Sequence, residues 1–109
     1  MLLDDAIRTA VPVFCRELQV LYGARRRRVL LFGSRARGDH ELDSDVDLCI
    51  VLEGPVHPGA EIARTSALTS RVSLEYDVVL SRVFLPVTEL EHGTTAFVRA
   101  VATEGVAVA

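Results

Sequence analysis

The sequence lacks lysine and tryptophan, and it has only one methionine and two cysteines among its 109 residues. Because all 12 basic residues are arginines, catalysis through a lysine Schiff base, a lysine general base or a phosphate-loop lysine is excluded. Cys15 and Cys49 are isolated, so we expect two buried thiols rather than a disulfide or a zinc site. His40, His57 and His92 are scattered as well, and we expect no histidine metal site.

Long apolar runs are also missing. No run reaches the roughly 18–20 residues that cross a bilayer, and the first ten residues carry two acids where a signal peptide has positive charge. We therefore expect a cytoplasmic protein without membrane contact. The net charge of −3 argues against direct nucleic-acid binding, which depends on neutralising many phosphates. The length and globular composition predict a single domain over residues 1–109.

The pattern of apolar residues predicts alternating helices and strands. Steps of three or four predict a first helix, kinked or divided at Pro12 and stopped near Gly23; its apolar positions are Leu3, Ile7, Val11, Phe14, Leu18 and Leu21. Strands are predicted over residues 29–32, 45–52 and 74–80, and helices over residues 60–72 and 94–104. The order predicts an α/β (α+β) domain with a small mixed sheet and helices packed against it.

Two of the predicted strands carry carboxylates on one face. Asp45 and Asp47 are two residues apart, so they share the face opposite to the apolar residues of their strand. Like charges repel there, and a divalent cation such as Mg²⁺ turns the repulsion into attraction. Glu75 and Asp77 repeat the arrangement, so Asp77 completes a three-carboxylate cluster if the strands are neighbours. The alternative is that these acids are solvated ends of edge strands.

A Gly-Ser pair precedes the first acidic strand. Gly33 lets a ligand approach the backbone closely, and a short helix is expected to begin at Ser34, whose hydroxyl and amides can hold phosphate oxygens. The spacing GS-x10-DxD, which ends in Asp45 and Asp47, occurs by chance on the order of once in a thousand such chains. Arg35 and Arg37 flank the pair, and each is either a phosphate contact or an ordinary solvated arginine.

At these residues the sequence resembles the nucleotidyltransferase superfamily of DNA polymerase β in its shortest form, the minimal nucleotidyltransferase (MNT) domain. The segments LFGSRARG at residues 31–38 and SDVDL at residues 44–48 carry the resemblance. EYDVV at residues 75–79 is similar to the third-carboxylate strand, and EGV at residues 104–106 to the close of the final helix. The last four residues lack the family's terminal Leu-Tyr, which leaves the packing of this end open.

The resemblance implies a function. Many stand-alone MNT proteins are antitoxins encoded beside a HEPN-domain ribonuclease toxin, and in the best understood of them the MNT protein transfers AMP from ATP to a tyrosine of the toxin. It further implies that Gly33 and Ser34 contact the nucleotide phosphates and that Asp45, Asp47 and Asp77 bind two Mg²⁺ ions. Asp77 is then the best-placed general base, with Glu75 in reserve.

Two other functions stay open at this point. The chain could be an antitoxin that neutralises its toxin by binding alone, or a nucleotidyltransferase that acts on a small-molecule acceptor. The arginine run at residues 25–28 has no interleaved aromatic residues, so we interpret it as a solvated strand edge or a contact with an acidic partner. We expect the Ser44 hydroxyl to order the turn before Asp45.

Overall fold

Four strands form one mixed sheet in the order β3-β2-β1-β4. The computed structural model describes residues 5–38 and 44–109. The strands are β1 (Arg26–Phe32), β2 (Val46–Leu52), β3 (Leu80–Pro86) and β4 (Val106–Ala107). β1 pairs antiparallel with β2 and β4, whereas β2 pairs parallel with β3. The mixed sheet with packed helices confirms the predicted fold class.

Helices cover both faces of the sheet. They are α1 (Asp5–Arg8), α2 (Ala10–Tyr22), α3 (Ser34–Arg37), α4 (Pro58–Tyr76), α5 (Val87–His92) and α6 (Ala96–Glu104). Residues of α1, α2 and α4 pack on the face that includes Leu48 and Ile50, and residues of α5 and α6 pack with Cys49 and Val51 on the other. Strand alternation puts Asp45 and Asp47 on the same side as Cys49. In residues 5–38 and 44–109, no helix is long and apolar enough to cross a membrane.

The first helix is divided, but at Thr9 rather than at Pro12 as predicted. The chain breaks at Thr9 between α1 and α2, and Pro12 lies in the first turn of α2, where a missing amide donor costs little. Phe14 and Leu18 are fully buried as predicted, but Leu21 is 43% exposed and Tyr22 is buried instead. Leu3, like His40, lies outside the described residues.

The predicted strand over residues 74–80 is wrong. Residues 74–76 are the last residues of α4, which is longer at both ends than the predicted helix. Asp77 ends α4 in the left-handed conformation, with φ 52°, which Asp tolerates better than most residues. The strand begins only at Leu80 and runs to Pro86. The alternation of apolar and polar residues over 74–80 predicts a strand, but the same residues also fit the end of a helix followed by a turn.

The last helix could be predicted from local sequence, whereas α5 and β4 could not. α6 matches the predicted last helix, and the Thr95 hydroxyl caps it by accepting a hydrogen bond from the Val98 amide at 3.2 Å. The sequence analysis did not anticipate α5 or β4, the strand by which the C-terminal residues pair with β1. Cys15 and Cys49 are free and buried as expected, and burial raises the pKa of their thiols to about 11 and about 12.

The arginine run lies at the start of β1, where Arg27 and Arg28 are exposed. β2 pairs with this part of the strand, whereas the β4 ladder pairs with Leu30 and Leu31 further along β1. The two exposed arginines agree with the predicted solvated strand edge. Arg25, just before β1, donates to the carbonyl oxygens of Glu53 at 3.0 Å and Pro55 at 2.8 Å. Arg27 forms an ion pair with the Glu53 carboxylate at 3.2 Å. These contacts hold the turn that leads from β2 to α4.

Candidate active site

The Gly-Ser bend and the first acidic pair meet at the junction of β1 and β2. Phe32 at the end of β1 lies opposite Asp47 in the antiparallel ladder, and Gly33 follows with φ 76°. A Cβ atom added at Gly33 would overlap Oδ2 of Asp47. Glycine is therefore required twice, by its backbone angle and by the carboxylate packed against it.

The surroundings of Asp47 disfavour the charged form of its carboxyl group. The side chain is half-buried, whereas the neighbouring Asp45 is exposed. Burial and the charge of Asp45 raise the pKa of the Asp47 carboxyl, and the guanidinium groups of Arg35 and Arg37 pull it down only in part. A cation placed between the two carboxylates would relieve this repulsion.

Arg35 ties the bend to the acidic strand. Its side chain is buried, with 8% of the residue exposed. The Nε and Nη2 groups both donate to the backbone carbonyl of Ser44, at 3.0 and 2.6 Å. Because Ser44 directly precedes Asp45, the guanidinium links α3 to the residue before the Asp45–Asp47 pair. Neither predicted setting for Arg35, a phosphate contact or a solvated side chain, includes this burial.

Arg37 is in a different setting. It is exposed, and its Nη1 lies 3.6 Å from the Glu104 carboxylate at the end of α6. Exposed pairs of this kind contribute little to stability. The side chain thus lies at the surface beside the bend, where a phosphate could be reached.

Asp77 lies in the turn after α4 and not on a strand. It lines a concavity of about 660 Å³ together with Arg35, Ser44 and Val79. Within residues 5–38 and 44–109 no group of three or more His, Cys, Asp or Glu side chains is arranged to hold a metal. The expected three-carboxylate cluster is therefore not assembled there. Glu75, the reserve base, is exposed in the last turn of α4.

The Asp45–Asp47 pair nevertheless fits magnesium. Mg²⁺ is commonly bound by one or two carboxylates together with substrate phosphates, because it keeps several ligands from water or nucleotide. The pair supplies two hard oxygen ligands, and the adjacent Gly33 leaves the backbone open to a phosphate. A third protein carboxylate is not a requirement of that chemistry.

A second buried carboxylate escaped the sequence analysis. Glu61 in the first turn of α4 is 1% exposed. It accepts hydrogen bonds from the Tyr22 hydroxyl at 2.9 Å and the His57 amide at 3.3 Å, and it pairs with Arg64 at 3.3 Å. Burial alone would raise the pKa of Glu61, but these partners lower it below the ordinary value of a glutamate. A glutamate near a helix N-terminus is too common to signal this role.

Known proteins share this architecture. A family model for the nucleotidyltransferase domain matches residues 11–106. The Methanocaldococcus jannaschii protein named "Putative protein adenylyltransferase MJ0141" is 35% identical over 99 residues, which are 90% of this chain and 94% of that protein. A crystal structure of a toxin–antitoxin with AMP-PNP has a TM-score of 0.62 at 18% identity, over 88% of this chain and 70% of that chain. A mutant of the toxin–antitoxin MntA-HpeT has a TM-score of 0.61 at 16% identity, over 87% and 69%. At these identities the likeness to the two structures is one of fold.

Proposed function

Because this chain belongs to the nucleotidyltransferase domain family, a family of enzymes, we propose that it is an Mg²⁺-dependent protein adenylyltransferase. In this proposal it transfers AMP from ATP to a tyrosine hydroxyl of a HEPN ribonuclease toxin in the cytoplasm and acts as its antitoxin. The observation that carries the proposal is the contact between Gly33 and the Asp47 carboxylate. This contact supports the proposal because the same place then offers a bend suited to phosphate and a carboxylate pair suited to a cation.

The donor side of the reaction would use the bend and the acidic pair. Gly33 and Ser34 hold the nucleotide phosphates through backbone amides and the Ser34 hydroxyl, and Arg37 is placed to contact them from the surface. Asp45 and Asp47 would hold Mg²⁺, which would supply positive charge to stabilise the transferring phosphate and its pyrophosphate leaving group.

The acceptor side needs a proton acceptor. A tyrosine hydroxyl has an ordinary pKa near 10, so it is protonated at neutral pH and must lose its proton as its oxygen attacks the α-phosphorus. The bond from that phosphorus to the pyrophosphate oxygen breaks in the same displacement. We assign the proton to Asp77, a residue that lines the same concavity as Ser44. The alternative role for Asp77, that of a further metal ligand, is distinguished from the base role by the Mn²⁺ affinity of Asp77 variants.

A protein acceptor is favoured over a small molecule. The M. jannaschii relative is named for adenylyl transfer to protein, and two solved structures with the same fold are toxin–antitoxin assemblies. Catalysis is favoured over binding alone by the Asp45–Asp47 pair, because a purely binding surface gains nothing from two adjacent carboxylates that repel each other.

The test is co-expression of the chain with the protein encoded by the neighbouring reading frame. The purified proteins are incubated with ATP and Mg²⁺, and both are weighed by intact-protein mass spectrometry, with a chelator-treated sample as the control. We expect an AMP increment on a tyrosine of the partner, and none with chelator. A stable complex without any increment would favour binding alone. Failure to associate, with transfer to a small acceptor, would favour the other alternative.

A further inference from the structure

We infer that Arg35 is a positioning residue that fixes the start of β2, so that Asp45 and Asp47 stay beside the Gly33–Ser34 bend. This assignment rests on the proposed function for its consequence in catalysis, but its structural part stands alone. It replaces the expected phosphate contact of Arg35 with a contact inside the protein. Arg37 then remains the arginine at the bend that a nucleotide could reach.

The burial of Arg35 is the first argument. Arginine is almost never fully buried unless its charge is paired or hydrogen-bonded, yet this residue is only 8% exposed. Two of its N–H groups converge on one backbone oxygen, that of Ser44, at 3.0 and 2.6 Å. The planar fork of arginine suits such a two-point contact, and a lysine could donate to it only as a single ammonium group.

The position of the acceptor is the second argument. The Ser44 carbonyl precedes Asp45, and the Val46 amide follows it and donates to the Val79 carbonyl of the neighbouring chain segment at 2.8 Å. Asp45 is therefore held between two anchors, one made by Arg35 and one by the first hydrogen bond to the Val79 segment. Removing the Arg35 side chain takes away the two hydrogen bonds that it donates to the Ser44 carbonyl, directly before Asp45.

The experiment compares Arg35→Met and Arg35→Lys with the matched variant Arg37→Met. Three readouts on the purified chain need neither partner nor turnover: hydrogen exchange of the Val46 amide, Mn²⁺ affinity by electron paramagnetic resonance, and affinity for AMP-PNP without metal. For Arg35→Met we expect Val46 exchange about 10-fold faster and Mn²⁺ binding roughly 10–100-fold weaker, with AMP-PNP affinity nearly unchanged. For Arg37→Met we expect Val46 exchange and Mn²⁺ affinity near those of wild type, with weaker binding of AMP-PNP. All three quantities for Arg35→Lys should lie between those of wild type and Arg35→Met.

Each contrary outcome has a separate meaning. Unchanged Val46 exchange in Arg35→Met would overturn the assignment, as would a loss of AMP-PNP affinity with normal Mn²⁺ binding. Complete rescue by Arg35→Lys would also overturn it, because that would show that a point charge suffices. If Arg35→Met does not fold, the exchange rate in Arg35→Lys decides. If the wild-type chain fails to modify its partner while Val46 exchange responds as expected, the proposed function falls and the assignment stands.

Discussion

Asp47 and Glu61 are both carboxylates withdrawn from water, and the protein treats them in opposite ways. Glu61 on α4 receives a hydroxyl, a backbone amide and a guanidinium. Asp47 on β2 faces another carboxylate across one residue and has the glycine of the bend pressed against it. Consequently the pKa of Glu61 is lowered and that of Asp47 is raised.

The difference separates a structural group from a functional one. A buried charge whose partners come from within the chain contributes to the fold, and its loss is felt as lost stability. A half-buried charge left beside a like charge has been retained at a cost, and a perturbed pKa of this kind clusters at functional sites. Substitutions at Asp47 and Glu61 and their pH dependence test this contrast, and a substitution at Asp77 tests the proposed general base.

The largest effect is expected from Asp47→Asn. Neutralising this ligand should lower the rate of AMP transfer about 10³-fold or more, because metal stabilisation of the transferring phosphate is worth several kcal/mol. The same change removes the repulsion with Asp45, so thermal stability should be unchanged or higher. Intact-mass kinetics and the midpoint of thermal unfolding measure the two quantities. Transfer at an undiminished rate would remove Asp47 from the site.

Asp77→Asn comes next. The variant keeps a residue that tolerates φ 52°, so stability should change little. Loss of a general base should slow transfer by roughly 10²–10⁴-fold while Mn²⁺ affinity stays near that of wild type. Asp77→Gly is the matched control, because it also suits the turn and also lacks the carboxylate. A large loss of Mn²⁺ affinity in both variants would instead make Asp77 a metal ligand.

Glu61→Gln should show the opposite profile to Asp47→Asn. Hydrogen bonds to a buried charged group contribute about 1.5–3 kcal/mol, so the free energy of unfolding should fall by that amount in denaturant titrations. The rate of transfer by the folded variant should remain that of wild type. Tyr22→Phe removes one of the same hydrogen bonds and should cost less. A transfer defect in folded Glu61→Gln would show that the two regions are coupled.

Much of the site could be predicted because its signals are local. The apolar run of β1, the alternation in β2 and the spacing between Ser34 and Asp45 all lie within a short stretch of chain. The family match and the mixed α+β sheet confirm the resemblance drawn from those residues. The position of the last helix could also be predicted from local sequence, because Thr95 caps its N-terminus.

The parts that could not be predicted depend on distant partners. β3 forms where it does because residues 80–86 pair along the whole of β2, and alternation in residues 74–80 carries no information about that pairing. The burial of Glu61 depends on Tyr22, which is 39 residues away. Arg35 donates to a carbonyl oxygen nine residues away in the sequence. In each case a tertiary contact outweighs local propensity.

The smallest expected effect is a pair of opposite pH dependences. The folded pKa of Asp47 lies above its ordinary value of 3.8, so its favourable contribution is complete below that pH and is lost as pH rises through the folded value. The folded pKa of Glu61 lies below 4.5, so its contribution is present above that pH and is lost as pH falls through the folded value.

Denaturant unfolding from about pH 3 to pH 7 should therefore show the stability of Asp47→Asn gaining on that of wild type as pH rises from about 4, by less than roughly 1 kcal/mol. Over the same range Glu61→Gln should fall further behind wild type. If both differences ran in the same direction with pH, the contrast between an unsatisfied and a satisfied carboxylate would be wrong.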